Sequence, residues 1–281
     1  MLYISIVLVP QLGHATHIFG IITKGGETTI AGNPTVDIII SKEGVYRRLG
    51  GPIYYASLVL GALGVKAKAV GVASAEVVKE IRNLLSKLNI EAQLEETDVA
   101  TTFELDYTTK PRSVRLVAKP AKKIRHVSGD IVILSPVYDE LAGVEVEADK
   151  VVVDLQGFIR ARLPFPDADI IHLSYDDMQI TPRELVSMGK RWPIVVYTLG
   201  EDGAFLVKGG EVYYMNSAKL NVLDTTGSGD VFLAALTYFY FYKKLDILEA
   251  VCEASKIVAG FLLTKTITKH EFSCIKQVVQ V

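Results

Sequence analysis

The stretch that decides the fold reads Asn221-Val-Leu-Asp224-Thr225-Thr226-Gly227-Ser228-Gly229-Asp230, and the apolar run Val231-Phe-Leu-Ala-Ala-Leu follows it. A short strand enters a turn with two glycines, and an apolar helix leaves it. The first N–H groups of a helix lack intrahelical partners, and the helix dipole adds partial positive charge at that end. Because glycines also let the backbone approach a ligand closely, the turn predicts a site for an anion such as phosphate.

Two common nucleotide-binding motifs are excluded at this turn. No Gly-Lys-Ser/Thr follows it, so it is not a P-loop, and Phe232 stands where the dinucleotide-binding fingerprint has a third Gly or Ala. Asp230 has two interpretations, as a helix cap or as a carboxylate that accepts a proton from a hydroxyl attacking the phosphate. The residues alone leave both interpretations open.

Outward from this turn, predicted strands and helices alternate along the chain. Nearly continuous apolar runs, typical of parallel strands covered on both faces, lie at 131–134, 151–154, 170–173 and 194–198. Further strands are predicted at 28–31, 37–41 and 67–72, and Gly209-Gly210 predicts a hairpin over 204–215. Helices are predicted at 53–63, 76–88, 230–243 and 246–263, and another begins at Thr181 with a capping box. This order predicts a doubly wound α/β fold.

One segment departs from that alternation. Residues 101–118 alternate apolar with polar side chains over two runs joined by a Thr-Lys-Pro-Arg turn, a pattern typical of half-exposed antiparallel strands. We expect a small β flap that stands off the main sheet and includes one further strand at 37–46.

Composition excludes several classes of protein. The chain has 281 residues, 49% of them hydrophobic, with 30 Lys+Arg against 32 Asp+Glu. This is the composition of a soluble globular protein, and it supplies no excess positive charge for general nucleic-acid binding. No apolar run reaches the ~18 residues of a membrane helix. Two cysteines do not make a disulfide framework, so we expect free, packed thiols and a reduced cytoplasmic location.

The turn resembles a motif of a known family. Residues 224–230 are similar to the Asp-Thr-x-Gly-Ala-Gly-Asp motif of the ribokinase/PfkB family of sugar and nucleoside kinases, with Ser228 in place of Ala. The resemblance implies a ribokinase-like three-layer αβα fold with a mostly parallel central sheet and a small β-strand lid, formed by about 37–49 and 99–120 of a single kinase domain over 1–281. It also implies an anion hole from the backbone of Gly227, Ser228 and Gly229, with Asp230 as general base. It leaves residues 1–27 unexplained.

Two further stretches resemble the substrate-binding motifs of that family. Gly32-Asn33-Pro34-Thr35-Val36-Asp37 is similar to its first strand, most closely in adenosine kinases, and implies that Asp37 and Asn33 bind substrate hydroxyls. Gly50-Gly51 matches the di-glycine motif of the substrate pocket. Tyr55 stands where the family usually has Asn. In this respect it resembles a branch of the family, including inositol-kinase-like members, that has an aromatic residue at this position.

The donor side resembles the family less closely. Thr198-Leu-Gly200-Glu-Asp-Gly203 is similar to its Thr-x-Gly-x-x-Gly segment and, together with Thr225 and Thr226, implies an ATP site. Ser174 and Asp177 replace the Asn-x-x-Glu motif, which implies that Asp177 contacts Mg²⁺ through water.

The expected activity is ATP- and Mg²⁺-dependent phosphorylation of a hydroxyl on a sugar, a cyclitol such as inositol, or a nucleoside. A nucleoside needs a flat apolar slot, for which Tyr46, Tyr54, Tyr55 and Phe103 are candidates. The alternatives are a dedicated nucleoside kinase and a non-catalytic sugar- or nucleotide-binding regulator on the same fold. Arg112 and Arg115 of the lid are candidates to reach phosphate. We expect no nucleic-acid or membrane partner, and a homodimer through the lid.

Overall fold

The computed structural model describes residues 26–109 and 113–280. Most of the unexplained N-terminal segment, and Arg112, lie outside the described residues. The strands are β1 (Thr28–Ala31), β2 (Thr35–Ser41), β3 (Gly44–Gly50), β4 (Ala67–Ser74), β5 (Glu91–Thr97), β6 (Thr101–Asp106), β7 (Ser113–Ala118), β8 (His126–Leu134), β9 (Glu145–Asp154), β10 (Ile170–Ser174), β11 (Ile194–Thr198), β12 (Ala204–Lys208), β13 (Glu211–Met215) and β14 (Lys276–Val279). The helices are α1 (Pro52–Ala62), α2 (Ala75–Lys87), α3 (Gln156–Arg160), α4 (Pro182–Met188), α5 (Ser228–Thr237) and α6 (Ile247–Thr264).

The central sheet has ten strands in the order β14-β13-β12-β11-β10-β9-β8-β1-β4-β5. Neighbours from β11 through to β5 are parallel, and β12, β13 and β14 add antiparallel to that block. Chain order and spatial order diverge at β1, which lies between β8 and β4. Ligand sites in open parallel sheets form beside such points, at the carboxyl ends of the strands.

Two hydrophobic cores cover the two faces of this sheet. One packs α1, α2, α5 and α6 against it, with Ile30, Ile133 and Val196 contributed by the strands. The other packs α3 and α4 against the opposite face. The prediction of a three-layer αβα fold with a mostly parallel sheet is confirmed.

A separate small sheet has four strands in the order β3-β2-β6-β7. Its own core contains Ile39, Phe103, Leu105 and Val137. The two strands predicted within 101–118 are present as β6 and β7. The single strand expected at 37–46 is wrong, because Ser41–Gly44 reverse the chain and divide this region into the antiparallel pair β2 and β3.

The two cysteines are not free. Cys252 in α6 and Cys274 before β14 form a disulfide with a Cα–Cα distance of 5.9 Å. The chain reverses after α6 and brings Cys274 back to the helix, a proximity that a cysteine count cannot reveal. The expectation of free thiols is therefore wrong, and a cytoplasmic location stays a prediction. Among the helices in the described part of the chain, none has the length and apolar character to cross a membrane.

Candidate active site

Polar side chains gather where β8, β9, β10 and β11 end at the start of α5. Ser135, directly after β8, donates to Oδ1 of Asp230 over 3.1 Å. Asp154 ends β9 and contacts His172 of β10, and His172 Nε2 lies 3.2 Å from the hydroxyl oxygen of Thr198, which ends β11. Because parallel strands bring their carboxyl ends to one edge of the sheet, these residues meet although they are distant in sequence.

The glycine turn forms the N-terminus of α5. Gly227 is the N-cap residue and has φ 81°, a left-handed conformation that glycine adopts without strain. A Cβ on Gly227 would lie 2.5 Å from the Tyr55 ring, so only glycine fits against that ring. Ser228 donates its N–H to the Thr225 carbonyl over 3.1 Å, inside the turn. The Ser228 N–H is therefore engaged inside the turn, and an anion site at Gly227, Ser228 and Gly229 stays a prediction.

Asp230 is buried, with 8% of its surface exposed. Burial raises its pKa to about 7, the nearby Asp154 carboxylate adds to the rise, and Ser135, His172 and Arg160 oppose it. Its carboxylate accepts from Ser135 and does not cap the helix, whose N-cap is Gly227 without a side-chain cap. A carboxylate that titrates near pH 7 is suited to general base catalysis.

His172 and Asp154 form a buried pair behind the turn. Their atoms Nδ1 and Oδ2 are 2.8 Å apart, and a Cβ on Gly229 would lie 3.6 Å from the imidazole. Burial lowers the pKa of His172, but the carboxylates around it, Asp154 first, outweigh burial and raise that pKa above its ordinary value. Positive charge on His172 offsets part of the negative charge that surrounds Asp230.

The di-glycine motif makes room for Asp37. Asp37 is buried in β2, and Thr35 donates its hydroxyl to Asp37 Oδ1 over 2.9 Å. A Cβ on Gly50 would lie 2.5 Å from Asp37 Oδ2, and one on Gly51, which has φ 82°, would lie 2.5 Å from the Asn33 carbonyl oxygen. The two glycines therefore let β3 and the start of α1 close against Asp37.

Asn33 departs from the expected direct contact with substrate. Its Nδ2 donates to the Thr101 hydroxyl over 3.1 Å, and its Oδ1 accepts the Val72 amide over 3.0 Å. Its backbone N–H donates to the buried carboxylate of Glu140. These bonds tie the chain after β1 to β4 and β6, so Asn33 positions the strand that carries Asp37.

The small sheet closes over the glycine turn through Asp224. Arg48 of β3 donates from Nη1 to Asp224 Oδ2 over 2.6 Å, and the Tyr107 hydroxyl donates to Asp224 Oδ1 over 3.1 Å. Lys265 donates to the Asp224 carbonyl over 2.6 Å. Burial would raise the pKa of Asp224, but the bonds from Arg48 and Thr226 outweigh it and hold that pKa well below its ordinary value. Asp224 is therefore an ionised link between the two sheets.

Tyr55 lies between these groups and is itself covered. Its ring packs on Gly227 and makes edge contacts with Tyr54 and Phe261, at centroid distances of 4.9 and 5.8 Å. Burial raises the pKa of its hydroxyl, so Tyr55 stays neutral. The ring shapes the wall of the pocket beside the turn.

Asp177 lies at the end of β10 and is held by its neighbour. Its Oδ2 accepts both the hydroxyl and the amide of Ser174, over 2.6 and 3.0 Å. Arg160 Nη2 lies 3.9 Å from its Oδ1. Within residues 26–109 and 113–280, no three His, Cys, Asp or Glu side chains are grouped to hold a metal ion. Contact of Asp177 with Mg²⁺ through water stays a prediction.

The remaining predicted donor residues lie at the adjacent edge. Gly200 and Gly203 flank the short 3₁₀ turn between β11 and β12 with φ 61° and 96°, and Gly203 allows no side chain because its Cβ would lie 2.1 Å from the Met215 carbonyl oxygen. Thr225 is exposed in the turn, and the Thr226 hydroxyl lies 2.7 Å from that of Tyr107. Arg115 departs from the expected reach to phosphate: it forms two bonds with Glu104 across β6 and β7.

Sequence reasoning missed Ser135, Asp154, Arg160 and Arg48. Arg160 ends α3, where its guanidinium lies 5.8 Å from the centre of the Phe103 ring and its charge lowers the pKa of Asp230. The available signal was a polar residue directly after an apolar strand, as in Val151–Asp154. Only the fold shows that these residues share one site.

The chain resembles known kinases in sequence. The profile of the family described as pfkB family carbohydrate kinase matches residues 180–268, which contain the glycine turn and Asp230. A deoxyribokinase of Salmonella typhi is 27% identical over 104 residues, which cover 37% of this chain and 33% of that protein. The match spans about a third of the length of the curated relatives.

Solved structures share the fold. A pyrophosphate-dependent kinase in the ribokinase family, complexed with a pyrophosphate analog and myo-inositol, has a TM-score of 0.70 at 18% identity over 84% of this chain and 95% of that one. Aminoimidazole riboside kinase from Salmonella enterica, complexed with aminoimidazole riboside and an ATP analog, has a TM-score of 0.66 at 15% identity over 86% of this chain and 95% of that one. The family profile thus confirms the predicted resemblance to the ribokinase/PfkB family over residues 180–268, and the solved structures confirm the fold.

Proposed function

We propose that this ribokinase/PfkB-type protein transfers a phosphoryl group from ATP to a hydroxyl of a small sugar, cyclitol or nucleoside. The observation that carries the proposal is the buried carboxylate of Asp230, with a pKa of about 7, at a helix N-terminus built from glycines. A carboxylate beside a phosphate site would repel its ligand, so its presence there favours a base that takes up a proton during the reaction.

In the proposed mechanism, Asp230 accepts the proton of the acceptor hydroxyl as its oxygen attacks the terminal phosphorus of the donor. The new O–P bond forms while the bond to the leaving phosphate oxygen breaks, and the electron pair leaves with that oxygen. The amides of Gly227 and Gly229 are proposed to stabilise the charge that develops on the transferred group. When bound, Mg²⁺ neutralises donor phosphate charge. Asp37 holds another hydroxyl of the acceptor, which orients it.

Arg160 is the proposed positive group on the far side of the transferred phosphoryl. Its positive charge lowers the pKa of Asp230, and its guanidinium lies between Asp177 and the Phe103 ring of the small sheet. Phosphoryl transfer depends mainly on positioning and charge stabilisation. Arg160 on α3 contacts Phe103 of the small sheet, so we expect the closed lid to hold its guanidinium in place.

ATP is the proposed donor, and pyrophosphate is the alternative that one of the structural neighbours raises. Thr198, Gly200, Gly203, Thr225 and Thr226 are proposed to line the donor side. An assay that compares ATP with pyrophosphate distinguishes the two donors, because only ATP has a nucleoside part that can make contacts beyond the phosphates.

A homodimer through the lid is proposed from the exposed apolar side chains on its edge strands. Val45 on β3 is 68% exposed, and Val114 and Val117 on β7 are exposed as well. Unpaired apolar edge strands favour association. Light scattering after size exclusion should give twice the mass of one chain for the native protein. The Val45→Lys variant should give the mass of a single chain. A single-chain mass for the native protein would contradict this arrangement.

The test of the proposed function is a donor and acceptor panel. Wild-type protein with Mg²⁺ is assayed with ATP or pyrophosphate against pentoses, hexoses, inositols and nucleosides. The Asp230→Asn protein is run beside it, with Asp176→Asn as a matched control at an exposed aspartate near the same sheet edge. We expect one acceptor class to stimulate donor consumption, a loss of about a thousandfold or more in Asp230→Asn, and no loss in Asp176→Asn.

The outcome that contradicts the proposal is equally direct. Binding of an acceptor without turnover by wild-type protein, or turnover that survives in Asp230→Asn, would reject Asp230 as the base. Binding without turnover for every donor would favour the non-catalytic regulator.

A further inference from the structure

Arg48 of the small sheet is partly buried, and most of its hydrogen-bonding capacity is unused. One nitrogen, Nη1, donates to Asp224 over 2.6 Å. Its Nε and Nη2 are buried and have no hydrogen-bond partner within the described residues. Burial opposes its charge, but the carboxylates of Asp224 and Asp37 outweigh burial and raise the pKa of Arg48. A buried guanidinium that leaves two nitrogens unpaired carries a desolvation cost that a ligand can relieve.

The position of Arg48 identifies where that ligand lies. Arg48 and Asp37 are directly paired across β2 and β3, so their side chains stand on the same face of the small sheet. That face carries the groups that contact Asp224 and the buried Asp37. A donor-only group and an acceptor-only group thus stand side by side, next to the glycine turn.

We propose that Arg48 and Asp37 form a clamp for an uncharged polyol, in which Arg48 Nε and Nη2 donate hydrogen bonds to oxygens of neighbouring hydroxyls and Asp37 accepts hydrogen bonds from those hydroxyls. A hydroxyl both donates and accepts, so one pair of adjacent hydroxyls satisfies both side chains together. This inference rests on the proposed function and adds Arg48 to the residues that hold the acceptor hydroxyls.

The charges favour a neutral acceptor over a phosphorylated one. The guanidinium is already paired with the Asp224 carboxylate, and the carboxylate of Asp37 stands beside it. A second anion on the acceptor would be repelled by the negative charges of Asp37 and Asp224. Neutral hydroxyls avoid that repulsion and still fill the two unpaired nitrogens.

Two of the four candidate aromatic rings are covered. Tyr55 is covered by Gly227, Tyr54 and Phe261. Phe103 is buried in the small-sheet core with Arg160 over its ring. Neither of these two rings presents an open face on which a base could stack, whereas Tyr46 on β3 is 48% exposed.

The test uses Arg48→Lys, which keeps the positive charge beside Asp224 and removes the paired guanidinium nitrogens, with Arg48→Met as the variant without charge. Arg47→Lys is the matched control, because Arg47 is the adjacent residue and pairs with Glu80 outside this pocket. Calorimetric binding and steady-state kinetics are measured with myo-inositol, D-fructose, D-ribose, fructose 6-phosphate and adenosine. Circular dichroism melting checks that each variant is folded.

We expect an uncharged polyol to bind, and Arg48→Lys to weaken its binding and raise its KM by about ten- to a hundredfold, as loss of hydrogen bonds to a charged group does. The donor KM should stay within about twofold, and Arg47→Lys should match wild type. Unchanged polyol affinity in folded Arg48→Lys, or binding of only adenosine or fructose 6-phosphate, would overturn the inference. Arg48-dependent polyol binding without any phosphorylation would reject the proposed function and leave the clamp standing, so the two failures are distinguishable.

Discussion

Replacing Asp230 with Asn is expected to stabilise the folded protein at neutral and alkaline pH while it removes the proposed base. The carboxylate is buried at the start of α5, and Ser135 is its hydrogen-bond donor. Burial, with help from Asp154, raises its pKa from 3.8 to about 7. Ionising this group in the folded protein therefore costs free energy that ionising it in the unfolded chain does not.

The magnitude follows from the two pKa values. Between 3.8 and about 7 the folded protein binds a proton that the unfolded chain has released, so the free energy of unfolding falls as pH rises through this window. The contribution is fully present below pH 3.8 and lost above about pH 7. The gap of about three pH units corresponds to about 4 kcal/mol at pH 8. Asn keeps the size and the acceptor oxygen and does not titrate.

The assay is urea unfolding of wild-type, Asp230→Asn and Asp176→Asn proteins at pH 5, 6, 7 and 8. The advantage of Asp230→Asn over wild type should grow by about 3 kcal/mol between pH 5 and pH 8, at about 1.4 kcal/mol per pH unit up to pH 7. Asp176 is exposed, so its variant should follow wild type. An advantage of equal size at pH 5 and pH 8 would refute the argument, because it would mean that Asp230 titrates as an ordinary carboxyl.

Three further outcomes are expected. Arg160→Gln should move the acidic limb of the pH–rate profile to higher pH by about one unit, because the Arg160 charge lowers the pKa of Asp230. Arg162→Gln, which changes an exposed neighbour, is the control. An unmoved profile would exclude an effect of Arg160 on the proposed base. Gly50→Ala should raise the acceptor KM about tenfold or more, because its Cβ would displace Asp37; a wild-type KM would show that Asp37 does not bind the acceptor. Reducing the disulfide, which closes 22 residues, should lower the free energy of unfolding by about 3 kcal/mol, and equal stability with and without dithiothreitol would contradict this.

Local patterns were enough to predict the elements that the sheet buries. The strands at 28–31 and 194–198 and the hairpin over 204–215 match β1, β11, β12 and β13. The Thr181 capping box is present with Glu184 as its partner. These elements have apolar or capping signals within a few residues, and burial on both faces reinforces the same pattern.

Elements at the edges were missed because they carry little apolar signal. β5 reads Glu-Ala-Gln-Leu-Glu-Glu-Thr, and only Leu94 in it is buried. β14 is a short, exposed last strand beside β13. The predicted helix at 230–243 ends its α-helical part at Thr237 and continues as a π-helical segment over Tyr238–Tyr242. Tertiary pairing, and not local propensity, decides such segments.

The candidate site likewise has one part that local sequence patterns predicted and one part that they did not. The glycine turn and Asp230 form one continuous motif, so their position at a helix start was predictable from the sequence. Ser135 and Arg48 reach the site from 95 and 176 positions away in the chain, counted to Asp230 and Asp224. The disulfide likewise depends on how the chain returns after α6. Contacts of this kind depend on topology, which one sequence specifies only through the complete fold.

The parallel pairing of β2 with β6 sets an order for folding. These two strands are the centre of the small sheet, and α1, β4, α2 and β5 lie between them in the chain. A parallel pair cannot close as a local hairpin, so the small sheet has to wait for that intervening unit to form. Amide exchange measured during refolding should therefore protect β4 and β5 before β2 and β6. The pocket over the glycine turn is thus one of the last parts of the molecule to be assembled.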